Sequence, residues 1–224
     1  MSTLHSHPVS TIIERLFSEA DAVDSKMRER LSQMSPDERD ALMAAARTDY
    51  RAFYGAAKDM FLPVSRETGV LLYMLARATR ARSVVEYGTS FGLSTLFLAA
   101  AIKDNGGGLV IGSEFEPSKV TKARAHLCEA GLENWVEIRE GDALSTLSRD
   151  LPETIDLVLL DGAKVLYSKI LDLLEPKLAD GALIVADNVD QCPDYVARVR
   201  APGGMYVSVQ FSKEVELSQR ILAR

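Results

Sequence analysis

Cysteine is nearly absent from this chain. Cys128 and Cys192 are the two that 224 residues carry; they lie far apart and outside any C-x-x-C, which excludes a disulfide framework. Histidine is as scarce: His5, His7 and His126 have no nucleophile or metal partner in the pattern, so none is assigned chemistry. No apolar run approaches the length that crosses a bilayer, and the amino terminus lacks the basic stretch and apolar core of a secretory signal. A cytoplasmic protein is expected. Positive charge is not in excess either. The formal net charge is -6, which disfavours broad nucleic-acid affinity but leaves a local basic patch open. What remains is a globular composition, with chain enough for one to two domains and a sizeable core.

The chain is organised around Ser83-Val84-Val85-Glu86-Tyr87-Gly88-Thr89-Ser90-Phe91-Gly92-Leu93-Ser94. A β-branched run ends in an acid and a glycine turn, then passes into helical apolar spacing at Leu93, Leu96, Phe97, Ala100 and Ala101. Strand, tight turn and helix in that order make a pocket at the carboxyl end of a buried parallel strand. Dinucleotide enzymes carry G-x-G-x-x-G there, the second glycine admitting a pyrophosphate. Here the spacing is Glu86-x-Gly88-x-x-x-Gly92, with Ser90 at the second glycine position. A carboxylate beside that turn repels a pyrophosphate and suits a ligand bearing an ammonium and a sulfonium, such as S-adenosylmethionine. The turn alone fits an ordinary α/β crossover equally well.

Ahead of it, the leader through Pro8 reads as disordered, and apolar positions from Ile12 to Val23 read as an amphipathic helix. Ser35-Pro36-Asp37-Glu38 is a helix start with a capping box, and its helix is expected to run through Leu42, Met43, Ala46, Tyr50 and Phe53. These helices form a lid or a dimer contact, residues 1–62 as an extension on a main domain of residues 63–224. The apolar connector Met60–Val64 reads as core or as a wall beside the ligand, and Ser65 starts the next helix. Strands are expected at 109–114, 135–139, 155–161, 182–188, 206–211 and 216–221, with helices from Pro117 and from Tyr167 to Leu174. The pattern is α/β.

Glu86, Glu114, Asp161 and Asp187 each close an apolar strand. On one rim of a parallel sheet they repel one another unless a cation or ligand separates them. Glu114 stands where an acid binds ribose hydroxyls, and Asp142, in the next strand-end turn, is either an acceptor for an adenine amino group or a solvated turn residue. Asp161 and the pair Asp187-Asn188 supply hard oxygen donors of the kind magnesium or calcium prefers. Lys164, three residues past Asp161, is a surface lysine in isolation. Beside a divalent cation its pKa falls and it becomes a candidate base.

Together these residues carry a resemblance. The stretch from Pro63 to Asn188 resembles the cation-dependent class I O-methyltransferases, the group of catechol and caffeoyl-CoA O-methyltransferases. It does so through Val84–Ser94, Glu114, Gly141-Asp142-Ala143, Leu160-Asp161-Gly162-Ala163-Lys164-x-x-Tyr167 and Ala186-Asp187-Asn188-Val189. The resemblance implies a doubly wound, Rossmann-like seven-stranded sheet with its last strand antiparallel. It implies magnesium on Asp161, Asp187 and Asn188, Lys164 as general base, and Val64, Glu86, Gly88, Thr89, Ser94, Glu114, Asp142 and Ala143 around S-adenosylmethionine. The family is often dimeric, and the acceptor expected is a small catechol-like aromatic. Two departures fall on acceptor-contacting segments: a short Val189–Met205 connection, and no aspartate-glycine turn in Phe211–Glu216. Three other readings stand: a transfer-RNA hydroxyuridine as acceptor, served by Arg198, Arg200, Lys213 and Arg220; a non-catalytic cofactor binder; and a nicotinamide dehydrogenase, against which the turn spacing counts.

Overall fold

The β-branched run Ser83–Tyr87 forms the strand β1, which lies near the middle of a sheet and is buried on both faces. In the computed structural model, which describes residues 2–221, the strands that follow are β2 (Leu109–Glu114), β3 (Val136–Glu140), β4 (Ile155–Leu160), β5 (Leu178–Ala186), β6 (Tyr206–Gln210) and β7 (Glu216–Arg220). Their order is β3-β2-β1-β4-β5-β7-β6. The first five run parallel, and β7 runs antiparallel to both β5 and β6. This is the expected doubly wound sheet with its last strand reversed. Chain order reverses between β1 and β4, and in such sheets the ligand crevice opens outside the carboxyl ends at that point.

The helices are α1 (Val9–Gln33), α2 (Pro36–Thr48), α3 (Tyr50–Ala56), α4 (Arg66–Ala78), α5 (Leu93–Asp104), α6 (Pro117–Glu129), α7 (Ala143–Thr146), α8 (Tyr167–Leu174) and α9 (Pro193–Val199). Every residue of α5 from Leu93 to Ile102 is buried, because its apolar surface runs all the way round and needs cover on both sides. The sheet covers one side. The other is covered by α4 and α1, whose Ile12, Leu16, Phe17 and Ala20 join the same core. Gly69 of α4 makes the close approach possible, since a Cβ there would stand 2.6 Å from the Phe97 ring. The apolar face of α1 is thus packed within the chain.

Three expectations need correction, and one segment gains a helix. The leader is ordered: Leu4 is buried, and the Thr3 hydroxyl and amide both donate to Asp104. The helix begun at Ser35 has its capping box but stops at Thr48, because Asp49 turns its carboxylate to the Ala52 N–H at 3.0 Å and starts α3. Trp135 belongs to a 3-10 turn, and β3 begins at Val136. Residues 193–199, within the short connection Val189–Met205 to which no element was assigned, form α9, with Pro193 in its first turn and Tyr195 and Val199 buried.

Candidate active site

The turn after β1 is drawn tight by its own strand-end acid. Glu86 is fully buried, and its carboxylate accepts from the hydroxyls of Thr89 at 2.9 Å, Ser94 at 2.7 Å and Thr95 at 2.6 Å. Burial raises its pKa, and the three hydroxyls oppose that rise. Glu86 thereby clamps the glycine turn to the first turn of α5. Gly88, at φ 101°, is needed for a related reason: a Cβ there would stand 2.4 Å from the Asp161 carbonyl, so the turn seats directly on the end of β4. The cleft beside it is lined by Phe61–Val64, Gly88–Phe91, Leu93, Ser94 and Asp161.

Of the residues expected around the cofactor, Val64, Gly88, Thr89 and Ser94 line this cleft. Glu114 joins it through Ser90, whose N–H donates to Oε2 at 2.7 Å, while the Glu116 N–H donates to Oε1 at 2.8 Å. Asp142 and buried Ala143 stand outside the cleft, in the turn after β3. Asp142 caps α7 through the Leu144 N–H at 2.9 Å and forms an ion pair with Arg51 of α3. Sequence reading missed that α3 reaches this rim. Its Tyr50 and Tyr54 pack against the core cluster containing Tyr87, Ala163, Leu166 and Tyr167. The Tyr54 phenol has a raised pKa, from burial first, and it feels the charges of Lys164 and Asp161.

At the ends of β4 and β5 the expected acids and lysine come together. Lys164 Nζ donates to Asp161 Oδ1 at 3.0 Å and to the Tyr167 hydroxyl at 2.9 Å. That hydroxyl lies 2.8 Å from the main-chain oxygens of both Leu160 and Asp187, so one buried tyrosine pins the two strand ends. Asn188 follows in the left-handed conformation at φ 50°. Burial pushes the Asp187 carboxyl up to about 7, and the charge of Asp161 adds to the rise. Burial on its own would lower the Lys164 pKa, but the Asp161 carboxylate outweighs it and the net direction is up. The chain's own charges therefore hold this ammonium protonated, opposite to the fall expected beside a cation. Among the described residues no three or more acids, histidines or cysteines gather as a metal cluster. The oxygen set is two mutually repelling carboxylates and one amide, and that set suits a hard divalent cation.

The basic patch considered for RNA is largely spent elsewhere. Arg198 pairs with Asp172 and Glu175, Arg200 pairs with buried Glu216, and Arg220 is itself buried under the Tyr206 ring.

A sheet of this order, with a ligand cleft outside β1 and β4, is the class I methyltransferase fold. Comparison with known proteins agrees. A family profile described as a methyltransferase domain matches residues 85–189. The chain is 32% identical over 162 residues to the catechol O-methyltransferase of Niastella koreensis, covering 71% of this chain and 70% of that one. It is 36% identical over 128 residues to the catechol O-methyltransferase of Mycobacterium tuberculosis, of which it spans 57%, as of itself. Among solved structures, cofactor-bound Rv0187 from MTB superposes with a TM-score of 0.63 at 26% identity, covering 88% of this chain and 95% of that one. The chain belongs to the S-adenosylmethionine-dependent class I O-methyltransferases related to the catechol and caffeoyl-CoA enzymes.

Proposed function

We propose that this enzyme methylates one hydroxyl of a small catechol-like aromatic, with Lys164 as base and a hard divalent cation, magnesium foremost, at Asp161, Asp187 and Asn188. The observation that carries the reading is the convergence of Lys164 Nζ, Asp161 and the Asp187-Asn188 strand end, pinned by Tyr167 beside the cleft. Two relatives named catechol O-methyltransferase support the acceptor class.

S-adenosylmethionine supplies an activated methyl on a sulfonium, and transfer to an oxyanion cancels charge, which a water-poor site favours. A cation held by Asp161, Asp187 and Asn188 would lower the pKa of a hydroxyl bound to it. The rest is the work of the chain's own groups. Lys164 receives the hydroxyl proton at Nζ. It can do so once the Asp161 carboxylate is directed to another positive charge, since that carboxylate keeps the ammonium protonated. Tyr167 fixes where Nζ sits. Phe61 and Val64 wall the cofactor side, and Tyr54 of α3 packs over the lysine side and excludes water. Glu86 holds the turn, and Glu114 offers its free lone pairs to ribose hydroxyls. Alignment of two reactants in this way contributes on the order of 7–11 kcal/mol in well-oriented systems.

The test is the Lys164→Ala variant with a catechol acceptor. Loss of a general base lowers kcat by about 10²–10⁴-fold, while the dissociation constant for S-adenosylmethionine stays at the wild-type value. Equal loss in both contradicts a base role. An acceptor panel of catechols, flavonoids, hydroxycinnamoyl thioesters and RNA checks the substrate class, and methylation of RNA alone overturns the aromatic acceptor.

A further inference from the structure

The N-terminal helices reach the cofactor cleft through residues 60–64, a connector in no regular element. Yet its backbone is held at several points. Asp24 of α1, 4% exposed, accepts from the Phe61 N–H at 3.0 Å and the Leu62 N–H at 2.9 Å. From the opposite side, the Ser90 hydroxyl donates to the Phe61 carbonyl at 2.8 Å, and the Phe61 ring stacks on Phe91 with centroids 4.2 Å apart. Ser90 Oγ in turn accepts from Lys119 Nζ at 3.2 Å, and the Ser90 N–H holds Glu114. Leu62 and Ser90 both sit in the left-handed region, at φ 47° and 48°. A non-glycine residue stays there only where its surroundings enforce it.

Lys119 is the unexpected member. It is 5% exposed, and among the described residues its hydrogen-bond partner is Ser90. Burial pulls its pKa below the ordinary lysine value. Its ammonium lies 5.3 Å from the Phe91 ring centroid and feels the charges of Glu114 and Asp24, yet among the described residues it forms no ion pair, and taking it out of water is costly. That cost has a use if the ammonium orders something the reaction needs.

We infer that Asp24, Ser90 and Lys119 are positioning residues that latch the 60–64 connector into a fixed wall of the cofactor cleft and couple that wall to Glu114. The inference rests on the reading of this cleft as the S-adenosylmethionine site. No one of the three touches the reacting atoms. They act by presenting Phe61, Val64 and Glu114 in the geometry that receives the ligand, so that the ordering cost is met before binding.

The test is calorimetric titration of the full chain with S-adenosylmethionine, alongside thermal melts without it. The proteins are wild type, Asp24→Asn, Ser90→Ala, Lys119→Met and the Asp24→Asn/Ser90→Ala double variant. Each single variant is expected to weaken binding about tenfold, the scale of one charge-assisted or buried hydrogen bond. The double variant is expected to lose less than the product of its singles, since both hold one connector. Lys119→Met should bind more weakly while melting at or above the wild-type temperature, a split that a purely structural lysine would not give. Wild-type affinity in Ser90→Ala and Lys119→Met overturns the latch, as does strictly multiplicative loss in the double variant. Absence of binding by the wild-type chain overturns the cofactor reading and the latch with it.

Discussion

Asp187 is a carboxyl whose electrostatics the fold alters strongly. Its carboxyl is pushed up to about 7 from an ordinary 3.8, by burial and by the neighbouring Asp161 charge. The folded state therefore binds a proton more tightly than the unfolded chain between about pH 4 and 7. The stability this group contributes is full below the unfolded value and is lost as pH rises through the folded one, by at most about 1.4 kcal/mol per pH unit. Denaturant titrations of metal-free protein at pH 5 and pH 7.5 should show stability falling with pH. Asp187→Asn should flatten that slope, and an unchanged slope in the variant would assign the effect elsewhere. Residues of this kind were legible in the sequence because an acid closing an apolar strand has a known place on the sheet. The position of Glu86 was legible but its hydroxyl clamp was not, since the hydroxyls that satisfy it include Thr95, already inside the following helix. Lys119 was not legible at all: in the sequence it is one of two lysines on α6, and its burial comes from packing behind Ser90.

Among the elements, helix starts were the clearest. Ser35 and Ser65 both accept from the N–H three residues on, as their spacing suggested. The division of α2 from α3 was hidden, because apolar spacing continues across Asp49 and aspartate is tolerated within helices. Packing decides it: no described residue of α2 is buried, whereas Tyr50 and Tyr54 of α3 pack on the core beside Lys164. The Asp49 cap is what allows α3 to leave the line of α2 and cross the rim. Its loss in Asp49→Ala should cost about 1 kcal/mol of local stability, a roughly fivefold rise in opening. Hydrogen exchange is expected to quicken across residues 50–57 and to stay unchanged in β1 and β4. Uniform quickening would mean that α3 has no independent anchorage. The short α9 was missed for want of length, since seven residues give too few periods to distinguish a helix from a loop.

For the whole molecule, the sheet and its rim follow from alternation of apolar strands with helical spacing, and from the strand-end positions of the acids. What alternation does not encode is the cover: that α1 packs on α5, and that α3 bridges Asp142 and the Lys164 rim. These contacts join residues far apart in the chain and leave no periodic trace. They tie the N-terminal helices to the enclosure: the cleft is lined by residues 61–64, whose backbone Asp24 of α1 holds, as well as by the rim of the sheet. The decisive measurement is the initial rate of methyl transfer from labelled S-adenosylmethionine to a catechol, in wild type and Asp161→Ala, across a magnesium titration and in excess chelator. The expected result is a wild-type rate that rises saturably from near zero with magnesium, and an Asp161→Ala rate that stays near zero throughout. A full wild-type rate in chelator, or an Asp161→Ala enzyme that still responds to magnesium as the wild type does, would contradict a metal-assisted site at the β4 and β5 ends.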